Sequence, residues 1–243
     1  MKALLSKTIG GPETLALDEL PDPTPMRGEV VVRVAACGIN YPDVLIIEDK
    51  YQFKPERPFA PGGEIAGVVE AVGEGVTSLK LGDRVAALTG WGGLVERVAV
   101  AAERCLKLPA EMPFEEAAGL LMTYGTSYYA LKQRANLKPG ETLLVLGAAG
   151  GVGAAAVEIG KAMGAKVVAA ASTPEKVEFA ESLGADTGLV YPTGELDKAQ
   201  SKTLSESFKL ACGREGANVV YDAVGGGYAE PALRAIAWEG RYL

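Results

Sequence analysis

The stretch Leu143-Leu144-Val145-Leu146-Gly147-Ala148-Ala149-Gly150-Gly151-Val152-Gly153 constrains the fold more than any other part of the chain. Residues 142–146 form a short unbroken apolar run, the pattern of a strand buried on both faces. Past the glycines, Val152, Ala155, Ala156, Ile159 and Met163 recur at helical spacing on one face of residues 152–163. Residues 166–171 read as a second strand. A strand, a tight glycine turn, a helix and a strand build a βαβ unit whose strands run parallel.

The turn resembles G-x-G-x-x-G in part. Ala148 stands where the first glycine belongs, and only Gly150 and Gly153 match. The context supplies what the motif lacks, because such a turn is informative when it leaves a buried strand and opens an amphipathic helix. Gly150 lets the backbone approach a pyrophosphate, and Gly153 lets helix and strand pack closely. With Gly151 and Val152 they place helix-start N–H groups around an anion. A tight turn with no ligand is the alternative reading of these residues.

The end of the second strand selects the cofactor. NAD sites place Asp or Glu about 20 residues beyond the glycines, on the ribose 2′-hydroxyl. Here the sequence is Ala170-Ala171-Ser172-Thr173-Pro174-Glu175-Lys176, with hydroxyls at the strand end and a cation one helical turn on. An acid there repels a 2′-phosphate, whereas Ser172 and Lys176 bind one. NADPH is therefore the expected cofactor. Capping of the next helix by Ser172 or Thr173, with Lys176 solvated, is the plainer reading, and the two are compatible.

The flanking sequence divides the chain. Before residue 113, short β-branched runs at 29–35, 65–72, 84–87 and 94–100 alternate with Gly- and Pro-rich turns, which predicts a β-rich, partly barrel-like domain over 1–113. Residues 114–243 are expected to form the α/β domain, a doubly wound parallel sheet. A helix is predicted over 115–134, another opening at Thr173-Pro174, a buried strand over 217–223 and one more entered at 241–243.

Composition removes several chemistries. The 243 residues contain no histidine, so Ser-His and Cys-His nucleophile pairs are absent and the commonest metal ligand is missing. Cys37, Cys105 and Cys212 are far apart and form no CxxC, as in a reduced cytoplasmic protein. The formal net charge of −7 argues against nucleic acid as a partner. No run approaches the roughly 20 apolar residues of a membrane span, and the N-terminal residues read as a first strand. A cytoplasmic location is expected.

Further segments complete the pattern: Ala36-Cys37-Gly38-Ile39-Asn40-Tyr41-Pro42-Asp43, Pro61-Gly62-Gly63-Glu64-Ile65-Ala66-Gly67-Val68-Val69, Gly82-Asp83-Arg84-Val85 and Thr126-Ser127-Tyr128-Tyr129. With the turn at 149–153, they resemble the zinc-free quinone oxidoreductases of the medium-chain dehydrogenase/reductase superfamily, the zeta-crystallin group. The resemblance runs from the first strand to Leu243. It implies a GroES-like catalytic domain joined to a Rossmann domain, an active site in the cleft between them, and a homodimer. Chains of that family are longer, which implies further sequence beyond Leu243.

Zinc enzymes of the superfamily carry a cysteine where this chain has Asn40, a histidine where it has Gly63 and a third ligand near Met122. None of these residues suits zinc. The resemblance implies hydride transfer to an electrophilic acceptor, a quinone or alternatively an α,β-unsaturated carbonyl compound. It sets Asn40 and Thr126 near the nicotinamide-ribose, Tyr191 near the adenine, and Tyr41 and Tyr51 in the acceptor pocket. There a tyrosine hydroxyl or water hands over the proton, or the tyrosines only pack as wall. Asp43 and Asp222 read as structural. A non-catalytic NADPH- or RNA-binding protein is the rival from another class.

Overall fold

The computed structural model describes residues 1–243, which divide into two compact units, Met1–Met122 and Thr123–Leu243. Unit 1 contains β1 (Lys2–Ser6), β2 (Leu15–Glu19), β3 (Glu29–Gly38), α1 (Tyr41–Ile47), β4 (Glu64–Val72), β5 (Arg84–Leu88), β6 (Arg97–Ala101), β7 (Cys105–Lys107) and α2 (Phe114–Ala117). β1 and β2 form an antiparallel pair, and the other strands form a five-stranded sheet in the order β6-β3-β4-β5-β7. Alternation along these antiparallel strands sorts the side chains. Val30, Val32, Ile65, Val69, Val85 and Ala87 share one apolar cluster, while Ala66 and Ala86 meet Ala117 and Ala118 in another.

The single helix expected over 115–134 does not form. α2 ends after four residues, and the chain passes through i→i+3 hydrogen bonds, Gly119 N–H to Glu116 and Leu120 N–H to Ala117. The next two amides, Leu121 and Met122, turn away from the helical ladder to donate to the Glu64 carboxylate. Helix resumes as α3 (Thr123–Tyr128) and runs on into a π-helical turn, Tyr129–Arg134. Packing of Phe114, Ala117, Ala118 and Leu121 with Ala66 and Ala86 carries unit 1 through Met122, past the break expected at 113.

Unit 2 continues with β8 (Thr142–Leu146), α4 (Gly151–Ala162), β9 (Lys166–Ala171), α5 (Pro174–Ser182), β10 (Thr187–Val190), α6 (Lys198–Cys212), β11 (Ala217–Asp222), α7 (Ala229–Arg234) and β12 (Ile236–Tyr242). Its strands are all parallel, in the order β10-β9-β8-β11-β12. Consecutive residues face opposite ways, so Leu143, Val145, Val167 and Ala169 pack with Ala156 and Val157 of α4. Leu144, Leu146, Val168 and Ala170 pack with Leu204 and Phe208 of α6. Helices on both faces explain why these strands read as unbroken apolar runs. The chain leaves β8 toward β9 on one side, while β11 lies on its other side. That topological switch opens a crevice at the carboxyl ends of the strands.

Candidate functional site

The crevice has a volume of about 400 Å³ and is lined by Gly147, Ala149, Gly150, Val152, Ala171, Ser172, Lys176, Tyr191 and Ala223. These residues follow β8, β9, β10 and β11, so every strand end at the switch point contributes. Gly147 closes β8 with φ of 68°, in the left-handed region open to glycine. Gly150 is the N-cap of α4 and has no side chain to cap it, so the first-turn N–H groups are left for an outside anion. A Cβ at Gly153 would overlap the Gly147 carbonyl, whereas one at Gly150 would meet only that oxygen, at 3.4 Å. Gly153 therefore serves packing, and Gly150 keeps the floor of the crevice open.

The strand end caps the next helix, as the plainer reading expects. Thr173 caps α5, its Oγ1 accepting from Lys176 N–H at 3.3 Å. Lys176 Nζ also donates to Ser172 Oγ at 3.0 Å, which puts a cation and a hydroxyl side by side on the crevice wall. Tyr191 is buried opposite and lies 4.9 Å from Tyr228, ring centre to ring centre. Burial pushes the Tyr191 phenol above its ordinary pKa, with the nearby Tyr228 adding to the shift. Thr126 sits on an exposed part of α3 and does not line the crevice. Its neighbour Ser127 is buried, donates to the Val152 carbonyl at 2.7 Å and lies 3.1 Å from the Tyr221 hydroxyl, tying α3 to the first turn of α4.

Unit 1 holds a second cavity of about 610 Å³, within the range that encloses a sizeable organic ligand. Pro42, Tyr51, Phe53, Leu88, Leu106 and Met122 give it mainly apolar walls, and Gly63 and Gly90 bring bare backbone to its surface. Tyr51 and Phe53 meet edge to face, with centroids 5.9 Å apart. Tyr51 also packs on Ile46, Ile47 and Phe59. Tyr41 is 75% exposed and does not line this cavity, whereas its neighbour Pro42 does.

Asn40 caps α1. Its N–H donates to Asp43 Oδ2 at 2.8 Å, and Asp43 Oδ1 accepts from Gly62 N–H at 3.0 Å. Asp43 is thus a loop-fixing residue, as expected. Asp222 likewise holds its turn, with Oδ1 accepting from Val224 and Gly225 N–H at 2.8 Å. Burial pushes Cys37 up to about 12 and Cys105 and Cys212 up to about 11, so the thiols stay protonated near neutral pH. No group of three or more Cys, Asp or Glu side chains converges as a metal site would require.

Sequence reasoning missed Glu64 and Tyr228. Glu64 is fully buried and binds the Asn40 side chain. Its only sequence signal is a charged residue opening an apolar strand directly after a glycine pair. Tyr228 belongs to the short 3-10 turn before α7 and meets Tyr191 across the sheet edge, a contact with no sequence periodicity.

Comparison with known proteins assigns each unit. Residues 26–110 match the alcohol dehydrogenase GroES-like domain, and residues 151–243 match the zinc-binding dehydrogenase family. Fold and site thus define a medium-chain dehydrogenase/reductase, a GroES-like unit followed by a Rossmann unit. The quinone oxidoreductase-like protein 2 homolog of Nematostella vectensis is 40% identical over 241 residues, 98% of this chain and 63% of its own length. A probable oxidoreductase from Mycobacterium abscessus superposes with a TM-score of 0.86 at 40% identity, over 100% of this chain and 74% of that one. The quinone oxidoreductase from Thermus thermophilus, solved also in complex with NADPH, gives 0.83 at 39% identity, over 100% and 72%. The chain belongs to the quinone oxidoreductase group of this superfamily, and it spans less than two thirds of the Nematostella relative's length.

Proposed function

We propose that the protein is an NADPH-dependent oxidoreductase that passes hydride to a quinone without a metal ion. The observation that carries the reading is the Ser172–Lys176 pair on the crevice wall, where an NAD site keeps an acid. The residues fit the dinucleotide. The N–H groups of the first α4 turn at Gly151, Val152 and Gly153 hold the diphosphate over Gly150, Ser172 and Lys176 take the 2′-phosphate, and Tyr191 borders the adenine. The NADPH complex of the Thermus relative supports NADPH as the dinucleotide.

NADPH, when bound, supplies the hydride. The chain's own residues bind, orient and keep water out. On the family resemblance, Asn40 and Thr126 hold the nicotinamide-ribose. The unit 1 cavity takes the acceptor, with Tyr51 and Phe53 as its aromatic wall, and water or the Tyr51 hydroxyl supplies the proton. On the family resemblance, Asn40 and Gly63 stand where zinc relatives carry ligands and the third ligand position lies near Met122, and an amide, a glycine and a thioether make a poor zinc set. The acceptor must therefore be electrophilic without help from a metal.

A turnover screen with NADPH against quinones and against α,β-unsaturated ketones, aldehydes and thioesters tests the proposal. Quinones are expected to react fastest, with activity unaffected by chelators. Faster reduction of the unsaturated carbonyls reassigns the acceptor, and loss of activity on chelation removes the metal-free mechanism.

A further inference from the structure

Glu64 opens β4 directly across the sheet from Gly38, the last residue of β3. Its carboxylate is fully buried, and three uncharged N–H groups donate to it. Oε1 accepts from the Leu121 and Met122 amides, the second at 3.1 Å, and Oε2 accepts from Asn40 Nδ2 at 3.1 Å. Two different groups therefore hold Asn40. Asp43 fixes its main chain through the 2.8 Å bond from Asn40 N–H, and Glu64 fixes its side chain.

We propose that Glu64 is the positioning residue that decides which end of the Asn40 amide is offered to the dinucleotide. This inference rests on the reading that Asn40 meets the nicotinamide-ribose. A carboxylate only accepts hydrogen bonds, so the amide must turn its NH₂ inward. The Asn40 Oδ1 then points away from Glu64, toward the Asp43 N–H of the capping box, and its second lone pair is the acceptor offered to a ribose hydroxyl. The two ends of an amide are nearly equal in shape, so without Glu64 only the Asp43 N–H of the capping box tells them apart, and half the binding chemistry is reversed when they exchange.

Glu64→Gln isolates this effect. The introduced amide oxygen keeps the Leu121 and Met122 bonds, while its NH₂ faces the Asn40 NH₂ and forces Asn40 to turn its donor outward. Affinity is measured for NADPH and for 2′,5′-ADP, which lacks the nicotinamide half. The expected result is a loss of roughly tenfold or more for NADPH with 2′,5′-ADP within about twofold of wild type. Combining Glu64→Gln with Asn40→Asp lets the introduced amide NH₂ donate to one carboxylate oxygen at position 40 and leaves the other oxygen facing outward, so most of the NADPH affinity returns.

Equal weakening of both ligands, unchanged NADPH affinity, or a double variant showing the sum of two losses overturns the inference. Should Glu64→Gln fail to fold, Asn40→Asp alone decides. Beside an intact Glu64 it sets acceptor against acceptor, and unchanged NADPH affinity overturns the proposal. If the wild-type chain binds neither ligand, the cofactor reading fails and this inference falls with it, whereas wild-type binding with any of the adverse outcomes condemns the inference alone.

Discussion

Lys176 Nζ lies 3.0 Å from Ser172 Oγ across the first turn of α5. This contact places a cation beside a hydroxyl at the carboxyl end of β9, with no carboxylate at the strand end to compete for it. Replacing Lys176 with Ala removes the only charged partner offered to a 2′-phosphate from this wall. NADPH affinity should fall roughly ten- to a hundredfold, the range of one charge-assisted hydrogen bond, with NADH affinity nearly unchanged. Titration of both nucleotides checks this, and an equal fall in both makes Lys176 a surface charge.

Gly150 and Gly153 are three residues apart and should fail in different ways. Gly153→Ala drives a methyl group into the Gly147 carbonyl, which should cost about 1–3 kcal/mol of stability as an overpacked contact. Gly150→Ala has room in the protein and should fold nearly as well as wild type. Its methyl group occupies the diphosphate floor, so nucleotide binding is lost instead. Denaturant melts and nucleotide titrations on the two variants separate the roles, and a Gly150→Ala protein that binds normally shows that the diphosphate lies elsewhere.

Tyr51 has two possible contributions, a hydroxyl and a ring. Its ring packs on Ile46, Ile47 and Phe59 and meets Phe53 edge to face, so the structure favours the wall. Tyr51→Phe should keep kcat within about twofold, and Tyr51→Ala should raise the acceptor KM. A tenfold or greater loss of kcat with Phe makes the hydroxyl a proton donor.

Arg241 should control the acid stability of unit 2. Its guanidinium forms a bidentate pair with Glu141, at 2.9 and 2.6 Å, and also donates to the Ala135 and Asn218 carbonyls. The Arg241 hydrogen bonds hold the Glu141 carboxyl below its ordinary 4.5. A depressed carboxyl contributes stability that is present above the unfolded value and lost as pH falls through the folded one. Wild-type stability should therefore decline below roughly pH 4.5. Arg241→Ala should lose about 2 kcal/mol near neutral pH, or roughly 4–8 °C in Tm, and show a shallower acid limb. Thermal melts across that pH range measure both, and parallel acid limbs rule the linkage out.

Much of unit 2 was legible because its signals are local. The apolar run of β8, the glycine turn, the spacing of Ala155, Ala156 and Ile159, and the Thr173-Pro174 start of α5 each lie within a few residues of what they specify. The missing acid after β9 was equally readable, since a cofactor preference there depends on one side chain at one strand end. The helix expected over 115–134 shows where local pattern stops. Its residues suit a helix, but Glu64, far away in sequence, takes the Leu121 and Met122 amides out of the ladder.

The amino-acid order by itself determined the alternation of strands and helices, the place of the phosphate turn and the lack of histidine among these 243 residues. Those are properties of neighbouring residues, set by periodicity, steric freedom and charge. Only the tertiary structure decided that Tyr228 faces Tyr191, that Tyr51 rather than Tyr41 lines the unit 1 cavity, and that a buried carboxylate orients Asn40. Each of these depends on which strands pair and which donors lose their water on folding, and a buried acceptor takes whichever N–H groups the fold brings to it.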